Sequence, residues 1–379
     1  MPNLQVNMTK DPIVKSLVIF ALPILFSNIF QQLYNTIDIM IVGNFLGDSS
    51  LAAIGASSSI YELLLGFCFG VGNGLSIVVS RYFGQGDKTL LKKSVAGAII
   101  IALILTAILM TASSLGLYPL MHALKTPENL LAESHSYVST LTTFIGVMFA
   151  YNLLAGLLRG IGNSFMPLVF LIISSLVNIV LDLLFIRSFG MGVRGAAIAT
   201  VIAQGISVVL CLIYIVTKAK ILLPEKCHFE PDRGLYMELL AQGFSMGFMS
   251  SIIYVGSIVL QPGINSLGYE TIAGHTAARK LFSFSMMPLS SMAQAVNTYV
   301  AQNRGADNRE RVHKGIRYAY LFCFSVTTAL ILFVTPFAPT LVHLISGSSD
   351  PTVLGNGARY LRVAIPFFFA LGLVNCSRL

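Results

Sequence analysis

The sequence contains few charged side chains. Only 11% of its 379 residues are Asp, Glu, Lys or Arg, whereas 55% are hydrophobic. A soluble domain of this size needs a polar and charged surface, so this composition excludes one. Apolar windows of about 20 residues, the length that spans a bilayer, recur from end to end of the sequence. The chain is therefore predicted to be an all-α polytopic membrane protein.

Cysteine is also scarce and scattered. The sequence has five cysteines, Cys68, Cys211, Cys227, Cys323 and Cys376. Their spacing matches neither a zinc site nor a disulfide framework. The six histidines are isolated, and no Ser/His/Asp pattern accompanies them. We therefore expect no enzymatic activity, no cofactor, and no metal beyond Na⁺ at the acidic residues discussed below.

The basic residues outnumber the acidic ones, 24 to 16, which gives a net charge of +8. They concentrate in short segments between apolar runs, at 81–93, 218–233 and 304–317. Cytoplasmic loops of membrane proteins have this distribution, whereas a nucleic-acid-binding surface does not require it. We expect a multi-pass protein of the cell membrane with a cytoplasmic N-terminus. Its partner would be the lipid bilayer and not nucleic acid.

Ten spanning helices are predicted. Their approximate ranges are 14–43, 51–79, 92–118, 135–158, 167–187, 195–217, 237–264, 271–301, 313–336 and 354–376. The loops between them are short, and no segment is suited to form a soluble domain. Prolines lie inside several of these helices, which a membrane tolerates where neighbouring groups satisfy the freed backbone atoms.

The chain repeats itself with a shift of about 221 residues. Leu46-Gly47 corresponds to Leu267-Gly268, and Gly84 corresponds to Gly305. This shift predicts two lobes, 1–220 and 221–379, related as parallel repeats. The first lobe has six predicted helices and the second has four, so we expect a twelve-helix protein of which this chain is a C-terminally truncated form. It is expected to be a monomer.

Two carboxylates fall inside apolar segments. Asp38 lies near the end of the first predicted helix, and Asp182 lies inside the fifth. Burying a charge in a bilayer costs several kcal/mol or more unless the group faces a cavity or a partner. The sequence therefore predicts a cation or proton site formed by these two residues.

Two further polar residues lie at a compatible depth. Asn178 is one turn before Asp182, and Thr200 is six residues past Arg194 on the next helix. A carboxylate in a low-dielectric cavity can load and release a proton, and carboxylate, amide and hydroxyl oxygens can also hold Na⁺. The choice between H⁺ and Na⁺ stays open. The alternative is that the aspartates are structural groups satisfied by their neighbours.

Other residues are weaker candidates. Glu62 is a candidate lining residue of the same cavity, and Pro23 is a candidate kink in the first helix that protonation of Asp38 could bias. Polar residues of the second lobe suited to line a cavity are Gln261, Asn265, Gln294 and Asn297. The run Gly66-x-x-x-Gly70-x-x-x-Gly74 lacks the Lys-Ser/Thr of a phosphate loop and favours close helix packing.

Four motifs, in this order and at these spacings, give the chain a resemblance to a known family. They are Ala21-Leu22-Pro23 with Asp38, Leu158-Arg159-Gly160-Ile161-Gly162-Asn163, Asn178-x-x-x-Asp182, and Gly195-Ala196-Ala197-Ile198-Ala199-Thr200. The chain resembles the multidrug and toxic compound extrusion (MATE) family, and its DinF-like branch most closely, from about Asp11 onward.

The resemblance implies a twelve-helix, two-lobe antiporter. Such a protein would export small cationic, amphipathic organic compounds in exchange for H⁺ or Na⁺ by alternating access. The resemblance also implies that Asp38, Asn178, Asp182 and Thr200 form the coupling site. Two alternatives stay open: a lipid-linked oligosaccharide flippase of the same superfamily, which would need several basic residues in its cavity, and an inactive truncated remnant.

Overall fold

The computed structural model describes residues 5–123 and 126–376. Within them the chain forms twelve α-helices joined by short connections. They are α1 (Ile13–Leu46), α2 (Asp48–Gln85), α3 (Lys88–Ala123), α4 (Glu128–Thr143), α5 (Ile145–Gly160), α6 (Phe165–Asp182), α7 (Gly192–Lys218), α8 (Arg233–Asn265), α9 (Tyr269–Gly305), α10 (Arg309–Ser346), α11 (Pro351–Ala364) and α12 (Phe368–Cys376).

The predicted all-α membrane fold is confirmed. In the described part of the chain, eight helices are long and apolar enough to span a bilayer, and a ninth span results if α4 and α5 count as one. The predicted helix 271–301 corresponds to α9, which is continuous over 37 residues. It is not among these eight because its mean hydropathy is low: the stretch 281–303 has no charged residue but is rich in Ser, Thr, Asn and Gln.

The prediction of an unbroken helix over 135–158 is wrong. The chain bends by 46° between α4 and α5, at Phe144. Just before the bend, the hydroxyls of Thr142 and Thr143 donate to the carbonyls of Val138 and Ser139, at 2.9 and 2.7 Å. Hydroxyl groups that bond back to helix carbonyls in this way compete with the backbone ladder and bend helices.

The predicted helix 354–376 is also interrupted. A 3₁₀ segment, Ile365–Phe367, separates α11 from α12. Pro366 lies inside this segment, and its missing N–H removes one rung of the α-helical ladder. By contrast, α1 continues through Pro23 as one helix.

The chain divides into two compact units. Unit 1 consists chiefly of Phe30–Val255, and unit 2 of Val6–Ile29 with the residues from Gly256 onward. The division therefore falls inside α1 and inside α8, while the lobe boundary at 220 stays a prediction.

The first part of α8 packs on α2 within unit 1. A Cβ atom added at Gly70 would collide with the carbonyl of Met246, and one added at Gly74 with the carbonyl of Gln242. The predicted role of the glycine run in close helix packing is thus confirmed.

Each unit has its own apolar core. In unit 1 the core includes Val71, Leu75, Leu91, Phe149 and Leu157, which come from α2, α3 and α5. In unit 2 it includes residues of α9 to α12 and of the first half of α1, such as Phe20, Leu289, Tyr299, Leu361 and Phe368. Other large apolar side chains, such as Leu115 and Leu332, are over 70% exposed, as expected for helix faces that meet lipid.

Candidate functional site

The second half of α1 presents Asp38 to α6 and α7 within unit 1. Its neighbours Ile37 and Ile41 belong to an apolar cluster with Ile186 and Ala196. These contacts orient the second half of α1 so that Asp38 faces Asp182. The sequence predicted the depth of Asp38, but only this packing decides which helices it faces.

Helix α6 contributes Asn178 and Asp182, which lie one turn apart on the same face. Asn178 is 1% exposed and Asp182 is 0% exposed. Asp182 is the last residue of α6, and a π-helical segment, Leu183–Ser188, follows directly. Such π-helical turns are rare and are frequent at functional sites. Nothing in the sequence pattern indicated this one.

Helix α7 contributes Thr200 and, one turn later, Gln204, both mostly buried. A small cavity of about 10 Å³ lies between α1, α6 and α7. Its polar lining residues are Tyr34, Ser174, Ser175, Asn178, Thr200 and Gln204. This volume admits about one water-sized occupant.

The carboxyl groups of Asp38 and Asp182 lie within hydrogen-bonding reach of each other. Among the described residues, no donor reaches Oδ1 of Asp38 or either carboxylate oxygen of Asp182. Two ionised carboxylates in this position repel, so the pair is stable only when it shares a proton or holds a cation. The pair is therefore suited to take up one positive charge.

The cavity beside the pair is rich in acceptor oxygens. Thr200 donates its hydroxyl hydrogen to the carbonyl of Ala196, at 3.0 Å. Ser174 and Ser175 donate theirs to the carbonyl of Leu171, at 3.0 and 2.8 Å. All three hydroxyl oxygens consequently keep lone pairs for an occupant, and the Asn178 amide has no partner among the described residues. A cation or a donating ligand fits such a lining better than an anion does.

Three residues of the site were missed by sequence reasoning. The side chain of Tyr34 lies close to that of Gln204, and Tyr137 on α4 lies close enough to interact electrostatically with Asp38 and Asp182. Tyr34 lies one turn before Asp38, and Gln204 one turn after Thr200, so helical spacing could have found both. Tyr137 has no such signal, because it reaches the site from a separate helix.

The other residues that the sequence predicted to line the cavity lie at the border of the site or in unit 2. Glu62 on α2 is exposed and interacts electrostatically with Tyr137 and Tyr254, at the border of the site. Gln294 and Asn297 lie on α9 in unit 2, and Pro23 lies in the part of α1 that belongs to unit 2.

The side chains of Gln261 and Asn265 lie outside the described residues. Their predicted place at a cavity therefore stays a prediction.

A cluster of residues whose side chains can bind metal ions lies away from this site, in the segment before α8. Ligand atoms of Glu225, Cys227 and His228 lie within 4.8 Å of one another. Glu225 is already paired with Lys92, whose hydrogen bond lowers the pKa of the Glu225 carboxyl. The Glu225 N–H donates to Nδ1 of His228 at 3.1 Å. These groups satisfy one another, so the cluster is explained without an ion.

Apolar spanning helices, with a half-buried and a fully buried carboxylate beside an acceptor-lined cavity, define the class of polytopic membrane transporters. The comparison with known families is consistent with this class: residues 23–184 and 246–378 match the MatE family. The chain belongs to the MatE family.

Named relatives are similar over nearly the whole chain. The probable multidrug resistance protein YpnP of Bacillus subtilis is 29% identical over 374 residues, which cover 97% of this chain and 82% of the relative. The multidrug export protein MepA of Staphylococcus saprophyticus is 24% identical over 371 residues, covering 96% and 80%.

Solved structures show the same fold. A crystal structure of a MATE protein in its bent conformation superposes with a TM-score of 0.87, at 23% identity, over 98% of this chain and 82% of that one. At this identity the likeness establishes the fold alone.

Proposed function

We propose that this protein is a cation-coupled antiporter of the cell membrane. It exports small cationic, amphipathic organic compounds in exchange for H⁺ or Na⁺, by alternating access of its two lobes, and its N-terminus is cytoplasmic. The observation that carries the proposal is the Asp38–Asp182 pair, in which no donor among the described residues reaches Oδ1 of Asp38 or either carboxylate oxygen of Asp182. The printed names of its relatives, which describe multidrug resistance and export, support the choice of cargo.

The exchange follows from competition for negative charge. An ion taken up from outside neutralises the carboxylate pair and lowers the affinity of the site for a cationic compound. Release of the ion inside restores the charge and, with it, the affinity for the next cargo molecule. Because the ion and the cargo bind to the same negative charge, binding of one lowers the affinity of the site for the other. Linkage requires such mutual weakening for antiport.

Either coupling ion fits the chemistry of the side chains. A proton would be shared between the two carboxyl groups, whereas Na⁺, a hard cation, would add oxygens of Thr200 and Asn178 to those of the carboxylates. The residues that line the cavity include no Lys or Arg. This lining favours the export of cations over the flippase alternative, whose pyrophosphate cargo would require basic groups.

The test is ethidium transport by the purified chain in proteoliposomes, driven by an imposed pH or Na⁺ gradient. We expect Asp38→Asn to lower gradient-driven transport at least tenfold, equivalent to about 1.4 kcal/mol. The matched control is Val259→Asn, a polar change at the corresponding position of the internal repeat. Unchanged transport by Asp38→Asn would refute the coupling role, and absence of ion-driven transport by the unmutated protein would refute the antiporter.

A further inference from the structure

Unit 1 contains a second, larger cavity on a different face of α4 and α7. It has a volume of about 630 Å³, within the range of small-molecule sites. Its lining on α4 includes Ser136, Ser139, Thr140 and Thr143, which recur at helical spacing. The buried residues Ser134, Val138 and Leu141 lie on the opposite side of α4, so this groove is distinct from the carboxylate site.

The groove changes in character along its length. Its mouth is cationic and polar, with Arg194 at the third residue of α7 and His135 on α4. Ile198 and Ile202 follow Arg194 on the same face of α7, one and two turns deeper, at about 6 and 12 Å. Phe144, at the bend between α4 and α5, lies nine residues beyond His135 and is 47% exposed. Ile198, Ile202 and Phe144 therefore give the groove an apolar side beside the hydroxyls of α4.

The charge at the mouth is unpaired in the part of the chain that the structure describes. Among the described residues, no acidic group lies within ion-pair distance of Arg194. His135 is held by an edge-on contact with Tyr118, at 5.7 Å between ring centroids. An unpaired guanidinium is suited to bind the phosphate of an anionic lipid headgroup through charge-assisted hydrogen bonds.

The hydroxyls of the α4 stripe add acceptors below the mouth. Thr140 and Thr143 donate their hydrogens to the carbonyls of Ser136 and Ser139, at 2.8 and 2.7 Å. Their oxygens keep lone pairs that can accept from the hydroxyl or ammonium donors of a lipid headgroup or glycerol. The cationic mouth matches a phosphate, the acceptor stripe matches headgroup or glycerol donors, and the apolar side matches an acyl chain, which are the parts of a phospholipid.

We propose that the groove between α4 and α7 binds an anionic phospholipid, with its phosphate at Arg194 and an acyl chain along Ile198, Ile202 and Phe144. A cationic cargo is disfavoured there because Arg194 repels it. The site goes beyond the proposed transport function, and its test does not depend on transport.

The experiment measures lipid retained by the purified protein. Protein is equilibrated with phosphatidylglycerol or phosphatidylcholine in detergent, and retained lipid is counted by native mass spectrometry. We expect the unmutated protein to retain phosphatidylglycerol in preference to phosphatidylcholine. Arg194→Gln should weaken phosphatidylglycerol retention at least tenfold. Ile202→Trp, which fills the apolar side and keeps the charge, should also reduce it.

The matched control is Arg187→Gln. Arg187 is also basic and exposed near the start of α7, but it lies over the ring of Phe45, at 5.8 Å, and does not line the groove. Equal retention by the Arg194→Gln and unmutated proteins would overturn the proposal, as would equal retention of the two lipids. Displacement of the lipid by equimolar inorganic phosphate would also overturn it, because the groove would then be a site for a free anion.

Discussion

Helices α2 and α9 begin in the same way in the two units. Gly47 and Gly268, 221 residues apart, precede them with φ of 84° and 91°. The residues at 86 and 307, again 221 apart, follow them with φ of 80° and 52°, although one is Gly and the other Asp. Helices α3 and α10 then begin at Lys88 and Arg309. The predicted internal repeat is therefore present in the backbone turns.

The chemistry of the two units does not repeat. The position that corresponds to Asp38 is Val259, which is 72% exposed. None of the buried polar residues described in unit 2 is acidic. Where α2 has Ser58, α9 has Arg279, which donates to Ser257 at 3.2 Å. Turns and caps recur because every helix needs them, whereas a buried carboxylate is costly and is kept only where it is used.

The variants with the largest expected effect test whether the two carboxylates of unit 1 act as a pair. Asp38→Asn and Asp182→Asn should each lower coupled transport at least tenfold, about 1.4 kcal/mol, and the double variant should be no worse than the more damaged single one. The measurement is the initial rate of gradient-driven ethidium transport. Multiplicative losses in the double variant would show instead that the two residues act independently.

A prediction of intermediate size compares the close packing of helices in the two units. A Cβ atom at Gly74 would collide with the carbonyl of Gln242 in unit 1, and one at Gly274 with the carbonyl of Val353 in unit 2. We expect Gly74→Ala and Gly274→Ala each to destabilise the protein by about 1–3 kcal/mol, because a backbone carbonyl cannot move aside cheaply. The thermal unfolding midpoint in detergent is the measurement.

Each glycine has a control in its own unit. Gly55 and Gly355 are helical and have no neighbour within 4 Å of an added Cβ. Substitution of either by Ala should raise stability slightly, by roughly 0.5–1 kcal/mol, because Ala favours the helix. Equal destabilisation at all four positions would contradict the packing argument.

The smallest expected effect concerns the turns after α2 and α9. Gly86→Ala should cost roughly 1–2 kcal/mol, because its φ of 80° is strained for a residue with a Cβ. Asp307→Gly should instead be neutral or stabilising, since Asp307 already carries that strain at φ 52°. Unfolding midpoints of the two variants would check the prediction. A loss of stability in Asp307→Gly would show that its side chain has a further role.

Four of the predicted site residues could be found because each breaks the apolar pattern of its helix. Asp38, Asn178, Asp182 and Thr200 are polar groups at similar predicted depth, and the structure brings all four to one place in unit 1. Tyr137 could not be found in this way, because tyrosine is common in membrane helices and its contact depends on how α4 is turned. Gln294 and Asn297 look equally suitable in the sequence but belong to unit 2.

The sequence by itself determined the membrane class, most of the helices, the repeat and the two acidic positions. These follow from composition, from the length of apolar runs and from local turn residues, all of which act over short distances along the chain. Only the tertiary structure decided that Asp38 meets Asp182, that α6 ends in a π-helical turn, and that a second groove lies between α4 and α7. Such features depend on the rotation and packing of helices far apart in the sequence, which local pattern does not fix.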